Sequence, residues 1–144
     1  MNKNFNDFLF SDDKNLLQVD RIHEMLSTTY WGDKRPREIM QTIIDNSVCF
    51  GIYKDDVQVG FARFVTDYAV LYYLADVVID EKYRGQELGK TLIKFITEHE
   101  IIAGFTGFLN TRDAHSLYEQ FGFYLDTATA MSTRRPNPST PFSK

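Results

Sequence analysis

The spacing of apolar residues changes period several times along the 144 positions. A short apolar run at 8–10 reads as a strand. Asp13 or Asn15 can then cap a helix in which Leu16, Leu17, Val19, Ile22, Met25 and Leu26 recur at helical spacing. Pro36 suits the first turn of a second helix, with Ile39, Met40, Ile43 and Ile44 on one face. Residues 48–53 read as a strand, Lys54-Asp55-Asp56 as a turn, and 57–66 as the returning strand of a hairpin. A third long strand covers 68–79, and its second half, Leu74-Ala75-Asp76-Val77-Val78-Ile79, holds one acid among branched residues. Residues 88–98 form an amphipathic helix, 104–109 a short strand and 114–121 a short helix, which Gly122 stops by turning left-handed. Segments 123–125 and 128–133 then close the sheet as a hairpin.

This alternation predicts an α/β (α+β) fold with a mixed sheet. No internal repeat is present. Three of the four prolines fall in Arg135-Pro136-Asn137-Pro138-Ser139-Thr140-Pro141, which marks 135–144 as an extended, mobile tail after a single domain at 1–134. With 43% hydrophobic and 15% aromatic residues, one domain of this length can build a core without disulfide or metal staples. The formal charge of −4 argues against a general binder of nucleic acid or anionic membrane. The lone Cys49 cannot form an internal disulfide and reads as a core residue. His23, His99 and His115 lack metal-ligand spacing, so no metal is expected. Residues 1–10 contain no signal-peptide apolar run, and no stretch approaches the ~20 apolar residues of a membrane span. The expectation is a soluble, cytoplasmic, single-domain protein.

The most informative stretch is Tyr83-Arg84-Gly85-Gln86-Glu87-Leu88-Gly89-Lys90, between a strong strand and a strong helix. A glycine-bearing turn entering a helix aims several amides at one point, an arrangement suited to phosphate. Gly85 and Gly89 are too close for a nucleotide P-loop, and Gly-x-Gly-x-x-Gly is absent. The stretch resembles the phosphate loop of the GNAT superfamily of acyl-CoA-dependent N-acetyltransferases, Gln/Arg-x-x-Gly-x-Gly/Ala: Arg84, Leu88 and Gly89 fit, while Glu87 stands at the central glycine position. Further on, Ala114-His115-Ser116-Leu117-Tyr118-Glu119-Gln120-Phe121-Gly122-Phe123 is similar to that family's Ala-x-x-Leu-Tyr-x-x-x-Gly-Phe element, with Thr111 where Asn is frequent.

The resemblance implies a mostly antiparallel central sheet with helices on both faces and acetyl-CoA as co-substrate. The cofactor's pantetheine arm would lie against backbone near Val77 and Ile79. Its pyrophosphate would sit on the amides of the 84–90 loop, with Arg84, Gly85, Gln86, Leu88, Gly89 and Lys90 contributing. Thr111 and His115 adjoin the channel, His115 either lining it or lying on the surface. Tyr118 matches the family's tyrosine acid, which protonates the departing thiolate. Asp76, an acid inside an apolar strand, needs a partner or a raised pKa, and either suits a base or a water-holder. Tyr30 and Trp31 lie where the family receives its acceptor, although both also fit core packing. The implied reaction is direct attack of a primary amine, from a small molecule or a protein, on the thioester in a ternary complex, by a monomer or homodimer. The alternative is a non-catalytic CoA-binding or regulatory module. Lys82, Arg84, Lys90 and Lys94 face only Glu87 locally, so the acidic chain carries one basic loop.

Overall fold

The computed structural model describes residues 1–133. Six strands form one sheet whose spatial order follows the chain: β1 (Asn2–Phe5), β2 (Phe8–Ser11), β3 (Val48–Lys54), β4 (Val57–Thr66), β5 (Leu71–Ile79) and β6 (Thr106–Phe108). Neighbours are antiparallel except β5 and β6, which run parallel. Among the described residues four α-helices accompany it: α1 (Val19–Leu26), α2 (Met40–Asp45), α3 (Leu88–Thr97) and α4 (His115–Glu119). The mixed, mostly antiparallel sheet matches the expected fold class.

The helices divide between the faces of the sheet. On one face α3 buries Leu88, Leu92, Ile93 and Ile96 against Phe10, Phe50, Phe64 and Leu74. On the other, Ile22, Met25 and Leu26 of α1 and Met40 and Ile44 of α2 cover Cys49, Phe61 and Val78. Each fully buried apolar side chain contributes roughly 1.5–3 kcal/mol, so this periodicity governs where the helices sit.

The pairing of β4 with β5 carries one irregularity. Phe61 pairs with Val78 and Arg63 with Ala75, so Ala62 alone opposes two residues, Asp76 and Val77. Asp76 occupies this β-bulge at φ +56°. The extra residue reverses the alternation. Tyr72 and Leu74 pack toward α3, whereas Val78 joins the α1–α2 side. β6 pairs with β5 only along Leu71–Tyr73, so the strands part as β5 passes the bulge.

Several elements depart from the sequence expectation for identifiable reasons. β1 is an additional strand: its Asn-Lys-Asn-Phe sequence lacks an apolar face and is held as a hairpin to β2 through Asn6 at φ +53°. The first helix begins only at Val19. Asp13, not Asn15, caps a separate 3₁₀ turn at Lys14–Leu16, and reciprocal bonds between Gln18 and Gln58 (2.8 and 3.0 Å) hold the chain extended before α1. The expected second helix divides into a 3₁₀ turn, Arg37–Ile39, and α2. β5 starts at Leu71 because the Asp67 carboxylate accepts the amides of Ala69, Val70 and Leu71 in a turn. The predicted closing hairpin at 123–125 and 128–133 does not form. Asp126 takes the amides of Ala128 and Thr129 into a local turn, and Tyr124, Leu125 and Met131 are too exposed to reward pairing. Asp55 (φ +49°) and Asp56 (φ +67°) make the β3–β4 turn, and Gly122 (φ +90°) ends the α4 segment, both as expected. The proline-rich segment 135–144 lies outside the described residues.

Candidate active site

Where β5 and β6 part, a cleft of about 530 Å³ opens between the free edge of β5 and α4. Its β5 wall is Val77, Val78 and Ile79; Ala114 and Leu117 of the α4 segment form the other. Ile79 adjoins the turn into α3, so that end of the cleft is closed by Arg84, Gly85, Glu87, Leu88 and Gly89. Thr29 and Trp31 from the α1–α2 connection also line it.

The α3 end is made mainly of backbone. The Thr91 amide donates to Glu87 O at 3.0 Å, leaving the amides of Leu88, Gly89 and Lys90 without intrahelical acceptors. Gly85 has φ +81°, and a side chain at Gly85 or Gly89 would meet no protein atom within 4 Å. The space above both glycines is therefore open to a ligand approaching the backbone. Glu87 caps α3 in the left-handed region at φ +64°, with no side-chain capping bond. A non-glycine residue there is strained by about 1–2 kcal/mol. The turn is anchored through Asp80, whose carboxylate accepts from Lys82 N (2.9 Å) and from Arg21 Nη2 of α1 (2.6 Å). Burial pushes the Asp80 carboxyl up, but these two donors outweigh it and hold it below the ordinary value of 3.8.

The bulge end is made of side chains. Asp76 is buried, its side chain 2% exposed, and one oxygen, Oδ2, accepts from Arg35 Nη1 and Arg63 Nε, each at 2.7 Å. Arg63 Nη1 also donates to Ser47 Oγ at 3.1 Å. Arg35 belongs to the same connection as Tyr30 and Trp31, so the ion pair ties that connection to the bulge. Tyr30 stands edge-on to Trp31 (centroids 5.0 Å apart), and the Arg112 guanidinium lies 3.8 Å over the Tyr30 ring. Burial, then Tyr30 and Asp113, push the Tyr118 phenol up to about 12. Among the described residues, Trp31 Nε1 and Tyr53 Oη are the buried side-chain polar atoms without a hydrogen-bond partner. Such an orphan costs about 1–3 kcal/mol.

Apart from Asp76 and Tyr30, placed above, the expected residues fall into three groups. The cleft brings together Val77, Ile79, Arg84, Gly85, Leu88, Gly89 and Trp31. Arg84 turns back, its Nε donating to Ile79 O at 3.3 Å. Gln86 and Lys90 are exposed and line neither wall. Thr111, His115 and Tyr118 instead line a second cavity, of about 770 Å³, between β6, α4 and the following segment. Thr111 Oγ1 accepts the Ala114 amide at 3.0 Å at the start of α4. Arg35, Arg63, Thr29 and Arg112 were not singled out from the sequence. One signal for Arg63 was available: it is a lone cation among apolar residues of β4, as Asp76 is a lone acid among those of β5. Among the described residues no group of three or more His, Cys, Asp or Glu is placed to hold a metal ion, and no helix is long and apolar enough to cross a membrane.

The sheet thus parts beside a helix N-terminus, with a cleft running between them. The family model of the acetyltransferase (GNAT) domain matches residues 45–125, and the chain belongs to this family. A Gibberella zeae protein assigned as an acetyltransferase is 30% identical over 112 residues, 64% of this chain and 63% of its own length. An N-acetyltransferase-like protein of Prochlorococcus marinus is 29% identical over 94 residues. The matches span 63% and 51% of these two curated relatives. The crystal structure of a GNAT-family protein from Xanthomonas campestris superposes with a TM-score of 0.85 at 34% identity, over 97% of this chain and 100% of that one. A structure from Deinococcus radiodurans, at 20% identity and a TM-score of 0.70 over 98% of this chain and 96% of that one, shares the fold.

Proposed function

We propose that this chain transfers an acetyl group from acetyl-CoA to a primary amine by direct attack in a ternary complex. The observation that carries this reading is the free edge of β5 past the bulge, leading to the open amides and bare glycines at the start of α3. Backbone of Val77 and Ile79 would hold the pantetheine arm as an added strand, and the amides of Leu88, Gly89 and Lys90 the pyrophosphate. The donor's thioester supplies the activated acyl group. Tyr118, next on α4 to the cleft-wall residue Leu117 and lining the adjoining cavity, donates the proton to the leaving thiolate. The phenol is protonated throughout the neutral range, and its neighbour Tyr30 adjoins the cleft through Trp31.

For Asp76 the structure supports a different part from base or water-holder. Its Oδ2 is already engaged by two guanidiniums in a buried place, so we assign Asp76 to positioning: it fixes the bulge and docks the Tyr30–Trp31 connection. The amine's proton passes to solvent. A thermal shift with acetyl-CoA, followed by thiol release across an amine panel, tests the reading. The expected result is stabilisation by acetyl-CoA, thiol release with at least one amine, and a Tyr118→Phe rate reduced by about 10²–10⁴-fold. Stabilisation without release, with Tyr118→Phe unchanged, points to a binding module; no stabilisation rejects both.

A further inference from the structure

Two orphaned polar atoms occur among the buried side chains described, and they differ in place. Tyr53 Oη lies over Gly51 of its own strand, away from the cleft. Trp31 Nε1 belongs to a residue that forms the cleft wall. Chain direction fixes which end of the cleft this is. β5 runs from the bulge at Asp76 to Ile79 and into the α3 turn, so the amides of α3 and the bulge mark opposite ends. Arg35, four residues after Trp31, is bonded to Asp76, which ties the connection that carries Trp31 to the bulge. A donor with its phosphates at α3 therefore has its acyl end toward the bulge, where the connection that carries Trp31 is tied.

The other side-chain donor at that end is committed elsewhere. Thr29 Oγ1 donates to Leu26 O at 2.7 Å and accepts the Gly32 amide at 3.0 Å. Arg112 over the Tyr30 ring, and Tyr30 edge-on to Trp31, hold the indole in place, and the side chain as a whole is half-buried.

We propose that Trp31 Nε1–H donates a hydrogen bond to the thioester carbonyl oxygen of the bound acyl donor. As the amine nitrogen bonds to the carbonyl carbon, the C=O electron pair moves onto that oxygen, where the indole N–H stabilises it. The pair returns as the C–S bond breaks, the thiolate takes the Tyr118 proton, and the ammonium proton leaves to water. Trp31 thus becomes a catalytic residue, not an aromatic wall. This role depends on acetyl-CoA being the donor, as proposed for the reaction.

Trp31 is the single tryptophan of the chain, so selectively excited indole emission reports on this site alone. The test compares acetyl-CoA with S-ethyl-CoA, which has the same length but no carbonyl, each titrated into the full chain. Both are expected to raise the melting temperature, with dissociation constants within about threefold. Only acetyl-CoA is expected to shift the emission to the red. Trp31→Phe, which keeps a ring but loses the N–H, should lower kcat by about 10²-fold and leave the acetyl-CoA dissociation constant nearly unchanged. Equal emission responses to the two ligands, or a Trp31→Phe kcat close to that of the parent, overturn the proposal. If Trp31→Phe does not fold, the emission comparison on the parent decides alone. Failure of both ligands to bind removes the acetyl-CoA reading itself, and this inference with it.

Discussion

The two ends of the cleft are built from different materials. At the α3 end, amides and two glycines shape the surface, and side chains mainly anchor it from behind, as Arg21 does through Asp80. At the bulge end, side chains set the shape: an Asp76 carboxylate between Arg35 and Arg63, and an aromatic pair capped by Arg112. Backbone sites tolerate change in what surrounds them, provided no side chain fills the space. Ion-pair sites fail when one partner is lost, because the remaining charge stays buried. Such a division suits a protein whose donor is fixed and whose acceptor is set by side chains.

The largest expected effect comes from breaking the bulge end. Asp76→Ala leaves two guanidiniums without their carboxylate and should lower stability by about 3–5 kcal/mol in urea denaturation. A loss under about 1 kcal/mol would mean that the cluster is solvent-screened and that the contrast between the ends is false. Next, Gly89→Ala should separate fold from binding. The methyl group meets no protein atom, and alanine favours the helix, so the chain should gain up to about 1 kcal/mol while acetyl-CoA affinity falls about tenfold. Unchanged affinity in calorimetry would remove the backbone description of the α3 end.

Glu87→Gly is expected to stabilise the chain by roughly 1 kcal/mol, because it relieves the left-handed strain at φ +64°, and to tighten acetyl-CoA binding by removing a carboxylate from the phosphate end. Weaker binding would assign the carboxylate a positive role. The smallest effect concerns pH. Asp80 has a folded-state pKa below 3.8, so its contribution is complete above that value and is lost as pH falls through the depressed one. Arg21→Gln should flatten the acid limb of the stability profile below pH 3.8 and leave neutral stability within about 1 kcal/mol. An acid limb identical to the parent's would detach α1 from the loop.

The same division explains what could be read from the sequence. The α3 end depends on local order, a strand, a turn with glycines and a helix, and that order survives in one dimension. The Leu88–Thr97 helix was legible because its apolar period is continuous, and the Val57–Thr66 strand because it is a long apolar run after a turn. The bulge was not. A one-residue slip between β4 and β5 leaves no mark on composition, yet it turns Asp76 from an acid in an apolar run into the centre of an ion cluster. Its partners lie 41 and 13 residues away. The closing hairpin was overread because alternating small and polar residues after Phe123 look like a strand, while Asp126 satisfies the backbone locally instead.

The agreement between spatial and sequential strand order has a consequence for how the molecule assembles. Each of β2 to β6 pairs with the strand immediately before it in the chain, so the sheet can grow as the polypeptide leaves the ribosome without waiting for a distant partner. The helices α1 and α2 can dock when β3 to β5 are present, but the wall supplied by Ala114 and Leu117 arrives last. A nascent chain thus acquires most of its core before it has a cleft, which is complete only when synthesis has passed α4.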